Sequence, residues 1–174
     1  MRIATPPTVF RLTRPFLTFA SVVGVLCAVA GVALLLAGLL MPDRVAFGSQ
    51  FAAGLPQAVR ARAALVGATT LLGGGALSAA VTLQLRRLVD TAITGDPFII
   101  ENGQRLRRIA WLVFLLDMVT RVGTMTVAAI AATGPVPVSL PASFTGLLVV
   151  MMILVLAHIF EHGSRLRSDL QGTI

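Results

Sequence analysis

The stretch from Leu85 to Trp111 reads LRRLVDTAITGDPFIIENGQRLRRIAW, and it is the only long segment of the chain that is dense in charge. It holds five of the fourteen basic residues, all of them arginines, between two apolar segments. Gly95 and Pro97 interrupt a helix at its centre, and Asp96 before Pro97 is a favourable N-cap for the helix that follows. We therefore predict a hinge between two membrane helices.

The composition indicates an integral membrane protein. Of the 174 residues, 56% are hydrophobic and only 12% are charged, whereas a soluble domain of this size needs more polar surface. The formal net charge of +7 would indicate nucleic-acid binding in a soluble protein, but here the arginines flank apolar runs. We expect a single integral membrane domain over residues 1–174, in contact with the lipid bilayer and with no direct contact to nucleic acid.

Four apolar runs are long enough to cross a bilayer, for which a helix needs about 20 residues. The predicted spans are residues 16–40, 63–85, 109–133 and 143–162. Residues 1–15 are expected to form a loose or interfacial segment and residues 41–62 a loop, and Gly163 is expected to break the last helix. The predicted fold is an all-α, four-helix transmembrane bundle with a cytoplasmic hinge between helices two and three.

The arginines also predict the orientation. The five polar segments carry three, three, five, none and two arginines in chain order. With four spans, the first, third and fifth segments share one side, which then holds ten arginines against three on the other. Because basic residues are enriched on the cytoplasmic side, we predict a multi-pass membrane protein with both termini and the hinge in the cytoplasm.

Small residues in the first two spans favour close helix packing. The first span carries Ala20, Gly24, Ala28 and Gly31 at helical spacing, and the second carries three consecutive glycines, 73–75. Stripes of this kind let two helix backbones approach. Two alternatives stay open, namely a chance pattern in a chain rich in Ala and Gly, and a functional bend at the glycine triplet.

Asp117 and Arg121 form an intramembrane pair in the third predicted span. They are four residues apart and therefore share a helix face. An isolated charge at the membrane centre costs about 2.5–3.5 kcal/mol on insertion scales, and a nearby opposite charge offsets part of that cost. One interpretation is a structural pair that fixes the helix orientation, and the other is an ion or proton path.

His158-Ile159-Phe160-Glu161-His162 matches the H-x-x-E-H pattern of inverted zinc peptidases. A catalytic zinc needs a third protein ligand, and only Asp169 follows. We therefore expect no metal, no cofactor and no catalytic residue. A salt bridge from Glu161 to Arg107 or Arg108 is the preferred interpretation of this segment.

The hinge has two interpretations. Its arginines could anchor helix ends at anionic lipid, each contributing ~1 kcal/mol. Alternatively, the hinge docks a cytoplasmic partner, helped by a short apolar cluster at Phe98, Ile99 and Ile100. The predicted partner-binding residues of the hinge are Gly95, Asp96, Pro97, Phe98, Glu101, Asn102, Arg105 and Arg107.

The same residues carry a family resemblance. Gly95-Asp96-Pro97-Phe98, Glu101-Asn102 and Arg105-Leu106-Arg107, followed by Ile159-Phe160, Gly163, Leu166, Asp169-Leu170 and Thr173-Ile174, resemble a bacterial membrane family called domain of unknown function 2975, DUF2975. The resemblance covers roughly the last half of the chain. It implies a four-helix inner-membrane protein, often encoded beside a small helix-turn-helix repressor, with no catalytic residues to carry over.

The function we predict is a non-enzymatic regulatory or partner-binding membrane component. Its candidate partners are a cytoplasmic protein, such as a small helix-turn-helix regulator, and a second copy of the chain. The alternative is a small proton- or ion-coupled transporter that uses Asp117 and Arg121.

Overall fold

A computed structural model describes residues 8–41, 56–94, 100–132 and 145–171 of the chain. These residues form four α-helices and no strand. The helices are α1 (Thr8–Leu40), α2 (Gln57–Thr94), α3 (Ile100–Ala131) and α4 (Thr145–Gln171). The predicted all-α fold class is confirmed, whereas the centre of the hinge, Gly95 to Phe98, lies outside the described residues.

Each helix contains a segment long and apolar enough to cross a membrane. These candidate spans are Thr13–Leu40, Gln57–Thr91, Glu101–Ile130 and Thr145–Arg165. The shortest has 21 residues, which matches the ~20 residues that cross the hydrocarbon layer. Large apolar side chains are exposed along them, with Phe16 and Phe19 both 68% exposed. Such a surface suits lipid and not water.

The helices extend beyond the uncharged runs that predicted them. Residues 8–15 and 57–62, expected to be irregular, are helical, and α4 continues through Gly163. Those three expectations were wrong because charge and glycine do not end a helix by themselves. Arginine is a good helix former, and one glycine costs only about 1 kcal/mol. The predicted span limits and the single membrane domain stay predictions.

The described residues belong to two compact units. Unit 1 takes its residues from Met1–Val22, Ser78–Phe114 and Phe144–Ile174. Unit 2 takes its residues from Val23–Leu77 and Leu115–Ser143. The ion pairs Arg14–Asp90 and Arg107–Glu161 lie in unit 1, and the Asp117–Arg121 pair lies in unit 2.

Unit 2 is held together by close approach of helix backbones. A Cβ atom added at Gly75 on α2 would lie 2.5 Å from the Ala28 backbone nitrogen and 2.7 Å from the Gly24 carbonyl oxygen on α1. A Cβ atom added at Gly31 would lie 2.5 Å from the Leu72 backbone nitrogen. These separations leave no room for a side chain, so the predicted role of the small residues in packing is confirmed.

The other two glycines of the triplet face α3. A Cβ atom added at Gly73 would lie 3.3 Å from Val119, and one added at Gly74 would lie 3.8 Å from Thr120. The triplet therefore lets α2 contact two neighbouring helices within a single turn. It lies within the continuous helix Gln57–Thr94.

Candidate functional site

Two ion pairs join helix ends in unit 1. The Arg14 Nη2 on α1 lies 2.8 Å from Asp90 Oδ1 on α2, and both side chains are about half exposed, at 54% and 49%. On α3, Arg107 Nη2 donates to both carboxylate oxygens of Glu161 on α4, each at 2.7 Å. The predicted salt bridge of Glu161 is thereby confirmed, with Arg107 as its partner.

A buried polar contact joins α2 to α3 at the same ends. Asn102 is only 1% exposed and is the largest fully buried side chain among the described residues. Its Oδ1 accepts hydrogen bonds from Thr91 Oγ1 at 3.0 Å and from Arg105 Nη1 at 3.1 Å. A buried amide oxygen without donors would cost about 1–3 kcal/mol, so these two donors keep Asn102 in place.

The first turns of α3 have one buried and one exposed face. Leu106, Ile109 and Ala110 are 5%, 2% and 0% exposed, and Asn102 lies on the same helical stripe. The charged residues occupy the remaining surface. We call the exposed charged side chains of unit 1 the polar end: Arg14, Arg87, Glu101, Arg107, Arg108 and Arg165.

Glu161 is the more enclosed member of its ion pair. Its side chain is 16% exposed, against 54% for Arg107. A Cβ atom added at Gly103 would lie 2.5 Å from Glu161 Cγ, so the glycine creates the space that the glutamate stem fills. Gly103 positions the carboxylate, and Arg107 neutralises it.

A polar cleft of about 200 Å³ opens beside this ion pair. Its lining residues are Gln104, Arg107, Glu161, Ser164 and Arg165. Ser164 is buried, and its hydroxyl donates to the Glu161 carbonyl oxygen at 2.9 Å. The cleft is therefore rich in donors around one carboxylate that already has a cationic partner.

The predicted partner-binding residues fall into three groups. Gly95, Asp96, Pro97 and Phe98 lie outside the described residues. Glu101 and Arg107 are exposed and Arg105 is half-buried; Arg107 is paired with Glu161, and Arg105 donates to Asn102. The Asn102 side chain is enclosed between α2 and α3, where it orders the helix ends, and its contact with a partner protein stays a prediction.

Five contributing residues were missed by the sequence reasoning. Thr91, Gly103, Ser164 and the Arg14–Asp90 pair act through tertiary contacts. One local signal was available, because Asn102 shares the helical stripe of Leu106 and Ile109. A polar residue in such a stripe needs a hydrogen-bonding partner.

Asp117 and Arg121 form the predicted pair within a candidate span. Arg121 Nε donates to Asp117 Oδ2 at 2.6 Å, and the side chains are 27% exposed for Asp117 and 22% for Arg121. A groove of about 380 Å³ in unit 2 lies along α2 and α3, lined by Val66, Thr69, Thr70, Met118, Val119, Val122, Gly123 and Thr126. Neither member of the ion pair lines it.

The two histidine rings of α4 lie close together, with their planes tilted by 51°. Their ring centroids are 4.5 Å apart, whereas the Glu161 carboxylate is taken by Arg107. Among the residues that the structure describes, no three His, Cys, Asp or Glu side chains form a group that could hold a metal ion.

The chain matches one family model over residues 49–174, and that model is described as Protein of unknown function (DUF2975). No curated protein and no solved structure matches the chain. The matched region includes α2, α3 and α4 and therefore the Asn102 contact, the Arg107–Glu161 pair and the cleft. Because the match covers well over half of the sequence, the chain belongs to the DUF2975 family.

Proposed function

We propose that this protein is a non-enzymatic, multi-pass component of the bacterial inner membrane that binds a cytoplasmic regulatory protein through the polar end. The observation that carries the proposal is the convergence of four helix ends in unit 1. The contacts Arg14–Asp90, Thr91–Asn102 and Arg107–Glu161 connect α1 to α2, α2 to α3 and α3 to α4 in turn.

The charged side chains of the polar end are attached to helix ends that pack against one another. Five of the six side chains of the polar end are arginines, and two of them are paired with Asp90 and Glu161, so five positive charges against three negative ones leave a net charge of about +2. Asn102, on the buried stripe of α3, fixes that helix against α2 through its contact with Thr91. Side chains carried by packed helices keep a defined geometry. An ordered basic surface attracts a protein with an acidic face and accelerates its association.

A cytoplasmic location follows from the orientation we propose, which places the arginine-rich segments inside. The family resemblance supports a small helix-turn-helix regulator as the partner. Such a regulator would dock through an acidic face and keep its basic face for DNA.

The test is a pull-down of the tagged full-length protein from detergent, followed by mass spectrometry and purification of the captured protein. The Kd is then measured for the parent and for a variant with Arg87→Glu and Arg108→Glu. We expect the double reversal to weaken binding at least about tenfold, since like charges across an interface are strongly unfavourable.

Arg62→Glu is the matched control, because Arg62 is an exposed arginine near the other end of α2. It should leave the Kd within about twofold of the parent value. Equal affinity of the parent and the double variant for every captured protein would refute docking at the polar end.

Transport is a second candidate function, favoured by one observation. An ion pair at 2.6 Å lies within the candidate span Glu101–Ile130, where ionisable residues are costly and often functional. Proton flux in liposomes, compared between the parent protein and variants of this pair, tests this candidate.

A further inference from the structure

We propose that the polar cleft between α3 and α4 binds a phosphate group, carried either by a lipid headgroup or by a free phosphate ion. The cleft has a volume of about 200 Å³ and lies wholly in unit 1. This site goes beyond the proposed protein partner, because its ligand is a small anion.

Hydrogen-bond donors converge on the cleft from two helices. Gln104 and Arg107 reach it from α3, and Arg165 reaches it from α4. The ion pair with Glu161 uses only Nη2 of Arg107, so that pair does not occupy the N–H groups on Nε and Nη1. Two guanidinium groups and one amide therefore surround the same space.

The charges and donors select the ligand class. Both oxygens of Glu161 already accept from Arg107, so the carboxylate does not call for a further cation. With two arginines and one glutamate, the lining has a net charge of about +1. Planar guanidinium groups bind phosphate oxygens in pairs, and a phosphate offers at least as many acceptors as three donor groups require.

The position of Glu161 predicts that one substitution in the cleft increases its affinity for phosphate. Its stem fills the space above Gly103, which holds the carboxylate beside Arg107. This negative charge opposes anion binding. Glu161→Gln keeps the shape of the side chain and removes the charge, so the variant should bind phosphate more tightly.

The experiment uses the purified full-length protein in a maltoside detergent, which contains no phosphate. Trp111 is the only tryptophan in the chain, is 63% exposed and lies one helical turn beyond Arg107. Its fluorescence is titrated with inorganic phosphate at constant ionic strength. In a second arm, phosphatidylglycerol is added to the micelles, and bound lipid is measured by native mass spectrometry.

We expect saturable binding of at least one of the two probes. Arg165→Gln and Arg107→Gln should weaken it about tenfold or more, as expected for the loss of a hydrogen bond to a charged group. Arg62→Gln is the matched control, since Arg62 is an exposed arginine on α2 that belongs neither to the cleft nor to the polar end. It should change the affinity less than about twofold.

The two arms identify the source of the phosphate. Binding of inorganic phosphate that phosphatidylglycerol does not displace indicates a free anion, and retention of the lipid with weak binding of the free ion indicates a headgroup. The opposite effects expected for Glu161→Gln and Arg165→Gln separate site binding from loss of fold. Absence of saturable binding with both probes, or equal weakening by Arg62→Gln and Arg165→Gln, would overturn the proposal.

Discussion

Asn102 shows how one buried polar side chain can order the ends of two helices. It is 1% exposed and accepts hydrogen bonds from Thr91 on α2 and from Arg105 on its own helix. The Thr91 hydroxyl also lies 2.8 Å from the Leu88 carbonyl oxygen, so its single proton is shared among neighbouring acceptors. The Thr91–Asn102 contact therefore determines how the ends of α2 and α3 are placed, and it also contributes to stability.

Replacing Asn102 with alanine should destabilise the protein. The change removes the acceptor of two hydrogen bonds and leaves a gap, with an expected loss of about 1–3 kcal/mol. Thermal unfolding in detergent measures the effect. Gln104→Ala, two residues away and exposed, is the control and should change the midpoint little. Equal midpoints for both variants would contradict the structural role of Asn102.

The Asp117–Arg121 pair allows a test of structure against transport. Removing one partner leaves the other charge unmatched at low dielectric, which typically costs ~3–5 kcal/mol for a buried pair, whereas two apolar replacements are often near neutral. Asp117→Leu and Arg121→Leu should each lower detergent stability, and the double variant should recover much of the loss. The measurement is a double-mutant cycle on thermal stability.

Proton flux in liposomes is measured beside that cycle. A structural pair predicts no flux in the parent protein. Flux in the parent that disappears in both single variants would favour the transporter, and additive stability losses without recovery would argue against pairing.

At the level of the helices, unit 2 depends on backbone contact between α1 and α2. Gly24, Ala28 and Gly31 on α1 meet Leu72 and Gly75 on α2 at distances that exclude a side chain. Without a hydrophobic driving force between helices in lipid, this close packing supplies much of the association energy. A methyl group at the contact has to push the helices apart.

Gly75→Ala should therefore destabilise the protein, although alanine is the better helix former. Overpacking of this kind costs about 1–3 kcal/mol, which exceeds the ~1 kcal/mol gained in helix propensity. Gly67→Ala is a matched control on the same helix, because a Cβ atom added there meets nothing within 4 Å. It should be neutral or stabilising in thermal unfolding. A Gly75→Ala protein as stable as Gly67→Ala would disprove the packing argument.

At the level of the whole molecule, the four candidate spans and the distribution of arginine determine the expected topology. An even number of spans brings both termini to one side of the membrane. The ion pairs Arg14–Asp90 and Arg107–Glu161 are consistent with alternating helix directions within unit 1. Arginine counts then favour the cytoplasm for that side.

Reporter fusions measure this topology directly. Fusions at Ala92 and at Ile174 should report the cytoplasm, and a fusion at Val138 should report the opposite side. The physical reason is the excess of arginine around Ala92 and its absence from the segment that contains Val138. A periplasmic signal at Ala92 would reverse the orientation and remove the polar end as a cytoplasmic docking site.

The fold class and the Asp117–Arg121 pair could be predicted from the sequence alone, because both depend on local properties. The length of an apolar run decides whether a helix can span the bilayer, and a spacing of four residues places two side chains on one helical face. The helix ends were less predictable, since arginine and glycine can extend a helix as well as interrupt it. Only the tertiary structure decided that Arg107, and not Arg108, pairs with Glu161, that Gly103 provides the space for that carboxylate, and that Asn102 is enclosed by Thr91 and Arg105. These contacts join residues on different helices or depend on how the helices rotate against each other, and neither spacing nor composition specifies that rotation.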